Sequence, residues 1–415
     1  MQPPADIDEE CLHGRRAAGA VARTAALVLL CFTARRLLFA LAAASRPAAK
    51  GHPGEPAAQP EVALLVPARN EAAGADALLG SLAALDFPVD RLTITLVDDC
   101  SDDATAVLFD EWAETRPHVS VVRLPEPIGK YRALNEAIGS SAPATIVAIC
   151  DADVRPRPTW LSKLVEPFAD PRVGAVAGYL SPENADEGIF ARYAAVESWV
   201  HQLVTSAGKD RLGLDPPTLG ACAYRRTALD DVGWFGASAS GEDVRISNAL
   251  TDTGWRIRFA EEAVADNTVV HTPQDYWHQH LRWARNVFAS HPAPTRPRSH
   301  RPVPLGRRVE SIVAAAGYAD RVALLVVVVA VRARTLPRWL PRTYAAVAGL
   351  EVVVAIVRAG HARQLPRFVV ATTVLFPVDV AASSAAAVAE ILDRPRSWRQ
   401  PQRRGSGQGA QSSSG

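Results

Sequence analysis

The chain has 415 residues and a formal net charge of +1, from 45 basic and 44 acidic side chains. This length allows one large or two medium domains. The balanced charge gives no electrostatic reason to expect nucleic acid as a partner. The five cysteines include no CxxC pair and no zinc-type cluster, which predicts free thiols in a reducing compartment.

The N-terminal region carries the first apolar stretch, Ala17–Ala34. An acidic tail is predicted at 1–16 and a membrane or interfacial helix at 17–45. The stretch is just long enough to cross a bilayer as a short helix. Arg35 and Arg36 follow it, which places the downstream domain in the cytosol by the positive-inside rule. The alternative is an amphipathic helix that lies in the membrane interface.

The central region, 60–290, alternates short apolar strands with helices. The strands are predicted at Val62–Val66, Leu92–Val97, Val119–Leu124 and Thr145–Cys150. The helices between them are predicted at Leu78–Leu85, at Ala104–Thr115 and from Lys130 onward. This alternation indicates an α/β fold with a doubly wound, parallel sheet. Ligands of such sheets bind beyond the carboxyl ends of the strands.

Acidic pairs follow two of these strands. Asp98 and Asp99 end the second strand, and Asp151 and Asp153 follow the fourth. The absence of a GxGxxG motif after the first strand disfavours a dinucleotide-binding enzyme. An acidic crevice binds a polyphosphate through a divalent cation, for which Mg²⁺ or Mn²⁺ is suited. The alternative is a set of solvated loop acids that cap helices.

Two further segments offer groups for catalysis. Lys130 follows Gly129 at a predicted helix N-terminus, a place that suits a phosphate. Glu242 and Asp243 precede the predicted helix Val244–Thr253, where a carboxylate could accept the proton of an attacking hydroxyl. The alternative for these acids is stabilisation of the helix dipole.

The predicted helix Gln274–Ala289 places an amide, a guanidinium and an indole on one face. These are Gln279, Arg282 and Trp283, at positions i, i+3 and i+4. The three side chains suit a diphosphate-sugar and a sugar ring that stacks on the indole. The alternative is an interfacial helix with a tryptophan anchor.

The C-terminal region, 312–392, is predicted to form membrane helices. Its apolar blocks are Ile312–Val331, Thr343–Val357 and Phe368–Leu392. Each block contains one carboxylate, which either faces a bundle interior or pairs with a nearby arginine. The arginine-rich connectors leave the topology open. Three full crossings would place the connector Arg332–Arg342 outside, and a re-entrant or interfacial first block would leave Arg358, Arg363 and Arg367 outside, both against the charge rule. The sequence therefore predicts membrane attachment at both ends without a number of spans.

Taken in order, these segments resemble glycosyltransferase family 2, in the membrane branch that contains cellulose, chitin and hyaluronan synthases and ceramide glucosyltransferase. The resemblance covers about 61–290. Its motifs are PARNE (67–71), VDDCSDDAT (97–105), GKYRALN (129–135), DAD (151–153), GACAYRRTAL (220–229), GED (241–243) and QHLRW (279–283). It implies a cytosolic GT-A domain at 60–290, with a mixed, mostly parallel sheet flanked by membrane helices.

The resemblance also implies roles for single residues. In the donor site, the nucleotide-sugar ligands would be Pro67, Arg69, Glu71, Asp98, Asp99, Lys130, Asp151, Gln279 and Arg282. Asp151 and Asp153 would hold Mg²⁺ or Mn²⁺, with Asp153 the direct ligand. Asp243 would be the general base, and the acceptor site would include Cys222, Glu242 and Trp283.

The predicted activity is inverting transfer of a sugar from a nucleotide diphosphate sugar, usually a UDP-sugar, to a lipid or membrane-associated acceptor. The alternatives are a processive synthase of a β-linked polymer and a non-catalytic membrane scaffold. The Pro/Arg-rich linker at 291–311 and the short, charged apolar blocks speak against a wide export channel. The predicted location is the plasma membrane, with several spans and a disordered tail at 393–415.

Overall fold

The computed structural model describes residues 6–45, 59–141, 143–236, 241–289 and 303–392. Most of the predicted linker at 291–311 and the whole predicted tail at 393–415 lie outside these residues.

The centre of the described chain is one mixed sheet. Its eight strands are β1 Val62–Ala68, β2 Leu92–Asp98, β3 Val119–Arg123, β4 Ile146–Cys150, β5 Val154–Pro156, β6 Val173–Pro182, β7 Ala221–Arg225 and β8 Arg256–Asn267. They lie in the order β3-β2-β1-β4-β7-β6-β8-β5. The first four are parallel, β7 is antiparallel to both β4 and β6, β8 runs parallel to β6, and β5 is antiparallel to β8.

Helices cover both faces of the sheet and extend beyond it. The first nine are α1 Asp6–Ala44, α2 Ala72–Ala83, α3 Thr105–Ala113, α4 Lys130–Ser140, α5 Trp160–Val165, α6 Ile189–Trp199, α7 Ala207–Arg211, α8 Arg226–Val232 and α9 Glu242–Asp252. The later ones are α10 Pro273–Ala289, α11 Leu305–Ala315, α12 Ala319–Arg332, α13 Trp339–Arg358 and α14 Leu365–Ile391. Short 3₁₀ and π segments connect some of them.

The two faces of the sheet are buried in separate apolar layers. Successive residues of a strand point to opposite faces, so Leu64 packs with Leu78 and Trp160 on one side. Leu65 packs on the other side with Leu134, in the same cluster as Tyr224. Every residue of β1 and of β4 is buried. Burial on both faces explains why the sequence shows continuous apolar runs rather than alternation.

The strand order brings the carboxyl ends of β1, β2 and β4 to one edge of the sheet. Because β7 is antiparallel to β4, its first residue, Ala221, pairs with Cys150 at the end of β4. The backbone N–H of Asp151 donates to the carbonyl of Gly220 at 2.8 Å. The segment before β7 therefore closes one side of the crevice.

Among the described residues, three helices are long and apolar enough to cross a membrane, and they correspond to α1, α13 and α14. The pair α11 and α12 bends by 66° and would add a fourth span only if both helices formed one crossing. The predicted apolar block Ile312–Val331 is thus divided between two helices. The break contains Gly317, a residue with low helix propensity.

Two predicted helix starts differ from the structure. α1 begins at Asp6, within the predicted acidic tail, and α2 begins at Ala72 rather than Leu78. The segment before Leu78 is rich in alanine, a strong helix former, but has no apolar periodicity to reveal the helix.

The carboxylates of the apolar C-terminal helices are buried and paired. Asp320, Glu351 and Asp379 are each at most 1% exposed. Arg36 of α1 bonds to Asp320 at 2.8 Å and to Glu351 at 2.5 Å. Arg321 bonds to Asp320 at 3.0 Å and to Asp379 at 2.9 Å. These pairs tie α1, α12, α13 and α14 together.

Candidate active site

The turns after β1 and β2 form one wall of the site. Asn70 and Cys100 both have positive φ, at 56° and 57°, a conformation that costs energy for residues other than glycine. The two turns are joined by hydrogen bonds. The Asn70 N–H donates to Ser101 Oγ at 2.9 Å, and Asn70 Oδ1 accepts from the Asp102 N–H at 2.8 Å. The predicted donor residues Pro67, Arg69 and Glu71 line the cavity here.

The two predicted nucleoside ligands after β2 are placed differently. Asp99 lines the cavity, and its carboxylate accepts the N–H groups of Ile128 and Gly129 at 2.8 and 2.9 Å. Asp98 is absent from the lining and accepts the Ser101 N–H at 3.2 Å. Asp99 therefore positions the loop that leads into α4, whereas Asp98 shapes the turn after β2.

Lys130, the first residue of α4, joins the acids of two separate segments. Its Nζ lies 2.8 Å from Asp151 and 3.2 Å from Glu242. The charges of Asp151, Asp243 and Glu242 raise the pKa of Lys130 against the opposing effect of burial. The end of β4 and the start of α9 thus meet at one cation.

Asp243, the predicted general base, faces the same cavity. Burial raises the pKa of its carboxyl to about 7, with further contributions from Glu242 and Asp151 and an opposing one from Lys130. A base whose pKa lies near neutral can take up a proton during reaction and release it afterwards. Perturbed pKa values of this kind are concentrated in functional sites.

The pair Asp151 and Asp153 suits a divalent cation. Both side chains line the cavity at the end of β4. Burial raises the pKa of Asp151, and the neighbouring charge of Asp153 raises it further, which Lys130 partly offsets. Two crowded carboxylates of this kind offer the oxygen ligands that Mg²⁺ and Mn²⁺ prefer. The residues present therefore fit a metal ion.

Gly220 makes this arrangement possible. A Cβ atom at this position would lie 2.4 Å from Oδ2 of Asp151 and 2.8 Å from its Cγ. Only glycine leaves room for the Asp151 carboxylate beside β7.

The predicted face of α10 lines the opposite side of the cavity. Gln279, Arg282 and Trp283 all contribute to it. Burial lowers the pKa of the Arg282 guanidinium, and its Nε has no hydrogen-bond partner among the described residues. A partly buried guanidinium with a buried, unsatisfied Nε is a place for an anion. Trp283 is 42% exposed and presents its indole at the rim.

His280, inside the QHLRW motif, links α10 to α6, a contact that sequence reasoning missed. The imidazole stacks on Tyr276 with ring centroids 3.7 Å apart, and its Nε2 lies 3.0 Å from Glu197 Oε2. The Glu197 charge raises the pKa of His280 despite the opposing effect of burial. Asp379 of α14 comes close enough to complete a group of three that could hold a metal ion. Glu197 lies within a largely apolar helix and has no local sequence signal.

Cys222, the remaining predicted acceptor residue, does not line the cavity. It is 1% exposed, and its thiol lies 3.5 Å from the Tyr224 hydroxyl in the apolar layer beneath the sheet. Among the described cysteines none forms a disulfide.

One continuous cavity of about 1630 Å³ contains these groups. Its lining includes residues at the strand ends, Asp243, Trp283 and residues of α11–α14. Far from the strand ends its lining includes Tyr344, Thr372 and Phe376. The space is several hundred Å³ larger than a typical small-molecule site, so it has room for two substrates.

Comparison with known sequences identifies the family. The sequence profile described as glycosyltransferase like family 2 matches residues 60–286. An N-acetylglucosaminyltransferase of Rhizobium meliloti is 29% identical over 82% of this chain and 81% of its own length. One from Neorhizobium galegae is 32% identical, over 56% of each chain. The β-monoglucosyldiacylglycerol synthase of Synechocystis is 28% identical over 55% of this chain and 48% of its own. The last two of these matches thus cover only about half of the relative's own length.

Comparison with solved structures agrees on the fold. The mannosyltransferase PcManGT of Pyrobaculum calidifontis, solved with GDP-Man and Mn²⁺, superposes with a TM-score of 0.61. It is 23% identical, and the match covers 91% of this chain and all of that one. The predicted GT-A type of fold with terminal helices is therefore confirmed. Because the family profile matches more than half of its length, the chain belongs to glycosyltransferase family 2 and is a glycosyltransferase.

Proposed function

We propose that the chain transfers a sugar from a nucleotide diphosphate sugar to an acceptor hydroxyl at a membrane surface, by direct displacement with inversion. One observation supports this most strongly. The strand-end acids, the Asp243 carboxyl and the Arg282–Trp283 face of α10 all line one cavity that continues between apolar helices. The donor and the acceptor can therefore meet beside a base.

The donor would occupy the strand-end side of the cavity. Arg282 and Gln279 would bind the diphosphate, because a partly buried guanidinium with an unsatisfied donor gains from a paired anion. Asp99 and the turn after β1 would border the nucleoside. A Mg²⁺ or Mn²⁺ held by Asp151 and Asp153 would offset negative charge on the departing diphosphate.

The acceptor would enter from the side of Trp283 and the apolar helices. Asp243 would accept the proton of its hydroxyl while the oxygen forms a bond to the anomeric carbon and the diphosphate leaves. A single displacement inverts the configuration at that carbon, so an α-linked donor gives a β-linked product. No covalent enzyme intermediate is required.

N-Acetylglucosamine is the sugar to test first, because most of the curated relatives named above are N-acetylglucosaminyltransferases. A panel of UDP- and GDP-sugars with purified membranes would measure hydrolysis and transfer for each donor. We expect one UDP-sugar to exceed the others by at least about tenfold, a typical gain from one well-placed contact. Turnover of none of them would contradict the proposal.

The metal contribution has its own test. Asp153→Ala should weaken donor binding in the presence of Mn²⁺ and leave binding without metal unchanged. Unchanged affinity with Mn²⁺ would remove Asp153 from the metal site.

A processive synthase is the second candidate, favoured because the cavity is lined by residues of the C-terminal helices as well as by Trp283. The number of sugars per product, measured with labelled donor, separates the two. One or a few sugars per acceptor is the result we expect, and long chains would favour the synthase.

A further inference from the structure

Three potential metal ligands meet where three helices come together. Glu197 lies in α6, His280 in α10 and Asp379 in α14. One ligand atom from each residue lies within 4.8 Å of those of the other two. All three side chains line the cavity, and His280 and Asp379 are only 3% and 1% exposed. The group therefore differs from an ordinary solvated cluster of surface acids.

The two carboxylate oxygens of Asp379 have different surroundings. Oδ2 accepts a hydrogen bond from Arg321 Nε at 2.9 Å. Oδ1 is buried and accepts no hydrogen bond from the described residues. A buried, charged oxygen without a partner is costly. A cation bound beside Glu197 and His280 would satisfy it.

The imidazole of His280 is oriented as a metal ligand would be. Its Nδ1 lies 2.9 Å from the Tyr276 carbonyl oxygen, which can only accept, so Nδ1 carries a hydrogen. Nε2 faces Glu197 Oε2 at 3.0 Å. Either a proton on Nε2 or a metal ion bound by both atoms satisfies this second contact. Histidines that bind metals commonly donate from the other ring nitrogen to a backbone carbonyl in this way.

The buried charge network around these ligands has an excess of negative charge. Its charged members in the described chain are four carboxylates and two guanidinium groups, from Glu197, Asp320, Glu351 and Asp379 and from Arg36 and Arg321. Two negative charges are therefore in excess when His280 is neutral, and one when it is protonated. Unbalanced buried charge is unfavourable, and one divalent cation beside a neutral imidazole would remove it.

We propose that Glu197, His280 and Asp379 form a second divalent-metal site, separate from the donor site, that joins α6, α10 and α14. One imidazole nitrogen and two carboxylate oxygens are a ligand set that suits Zn²⁺. The metal would also fix α10, the helix that presents Arg282 and Trp283 to the cavity. Metal binding here requires no part of the proposed transfer reaction.

Zinc binding to the purified full chain in detergent tests the proposal. Asp153→Ala serves as the parent protein, because it weakens the proposed donor-site metal. Equilibrium dialysis against Zn²⁺, followed by elemental analysis, gives the number of ions per chain. We expect adding His280→Gln to remove one Zn²⁺ per chain. Loss of an outer-shell partner already costs about 10–100-fold in metal affinity, so loss of a direct ligand should cost at least about 100-fold.

His278→Gln in the same parent is the matched control, because His278 is an exposed histidine of the same helix. It should keep the full number of ions. Zn²⁺ should raise the thermal midpoint of the parent and of this control, but not that of the His280→Gln protein, whose own unfolding transition shows whether it is folded. X-ray absorption at the zinc edge of the parent should show imidazole and oxygen ligands at about 2.0–2.2 Å.

A parent protein that binds no Zn²⁺ would overturn the inference, and His280 and Glu197 would then form a simple ion pair. The same number of bound ions in a folded His280→Gln protein would overturn it as well. Loss of an ion in the His278→Gln control would place the metal elsewhere.

Discussion

Single acidic residues at strand ends and at one helix start line the proposed site, and their positions follow from the elements that carry them. Asp99 and Asp151 line the cavity directly after β2 and β4, Asp153 lines it between β4 and β5, and Asp243 lines it from the first turn of α9. Cys222 is different: it lies inside β7, and its side chain points into the apolar layer. The alternation of side chains along a strand decides this, and one residue of register reverses it.

The pH dependence of transfer should report Asp243. The base works only as a carboxylate, and its pKa in the folded protein is raised to about 7. We therefore expect transfer to fall tenfold per unit as pH drops below about 7 and to level off above it. The measurement is kcat/KM between pH 5 and 9. An acid limb near pH 4 would show that the base is elsewhere or that its carboxyl is unperturbed.

The same shift predicts the effect of Asp243 on stability. Its folded pKa lies above the ordinary value, so the folded state binds this proton more tightly than the unfolded chain does, and stability is lost as pH rises through about 7. Asp243→Asn should therefore raise the thermal midpoint at pH 8 and change it little at pH 4. A lower midpoint at pH 8 would contradict this reasoning.

Gly220 offers a prediction from packing alone. In Gly220→Ala the new Cβ would overlap the Asp151 carboxylate, so that carboxylate must move. We expect transfer to fall about 100-fold, a typical effect of an ångström-scale misplacement. Gly80→Ala is the control, because nothing lies within 4 Å of a Cβ there. Full activity in Gly220→Ala would show that the position of Asp151 is unimportant.

Whole helices contribute through contacts that sequence patterns do not reveal. The apolar blocks predict α13 and α14, but Glu351 of α13 pairs with Arg36, 315 residues away along the chain. Asp379 of α14 pairs with Arg321 of α12. Arg358, which lies near Glu351 in the sequence, contacts Glu261 instead. Local spacing cannot rank such alternatives, because the bundle decides which charges meet.

Arg36 should therefore be a stability determinant of the helix bundle. Arg36→Gln leaves Glu351 buried without its guanidinium, a change that costs about 3–5 kcal/mol when a buried pair is broken. We expect the full chain to lose its folded state in this variant, measured as a fall in the thermal midpoint in a detergent thermal-shift assay. Arg23→Gln, at an exposed position of the same helix, should shift the midpoint little. Equal midpoints for the two variants would show that the buried pairs are dispensable.

At the scale of the whole molecule, the strand and helix alternation predicted an α/β fold, and the family resemblance predicted its mixed sheet. The order of β7, β6 and β8 could not be predicted from local pattern, because Ala221–Arg225 and Val173–Pro182 carry no sign of which strand they join. The shared cavity could not be predicted from the sequence either, since it depends on how α10 and the apolar helices pack against the sheet.

The most direct test of the account is a comparison of binding and transfer in Asp243→Asn. The account predicts that UDP binding in the presence of Mn²⁺ stays within about threefold of the unaltered chain. Transfer from the preferred UDP-sugar should fall by at least about 100-fold, the usual contribution of a general base. Normal transfer by the variant, or loss of UDP binding together with transfer, would contradict the assignment of a separate base beside an intact donor site.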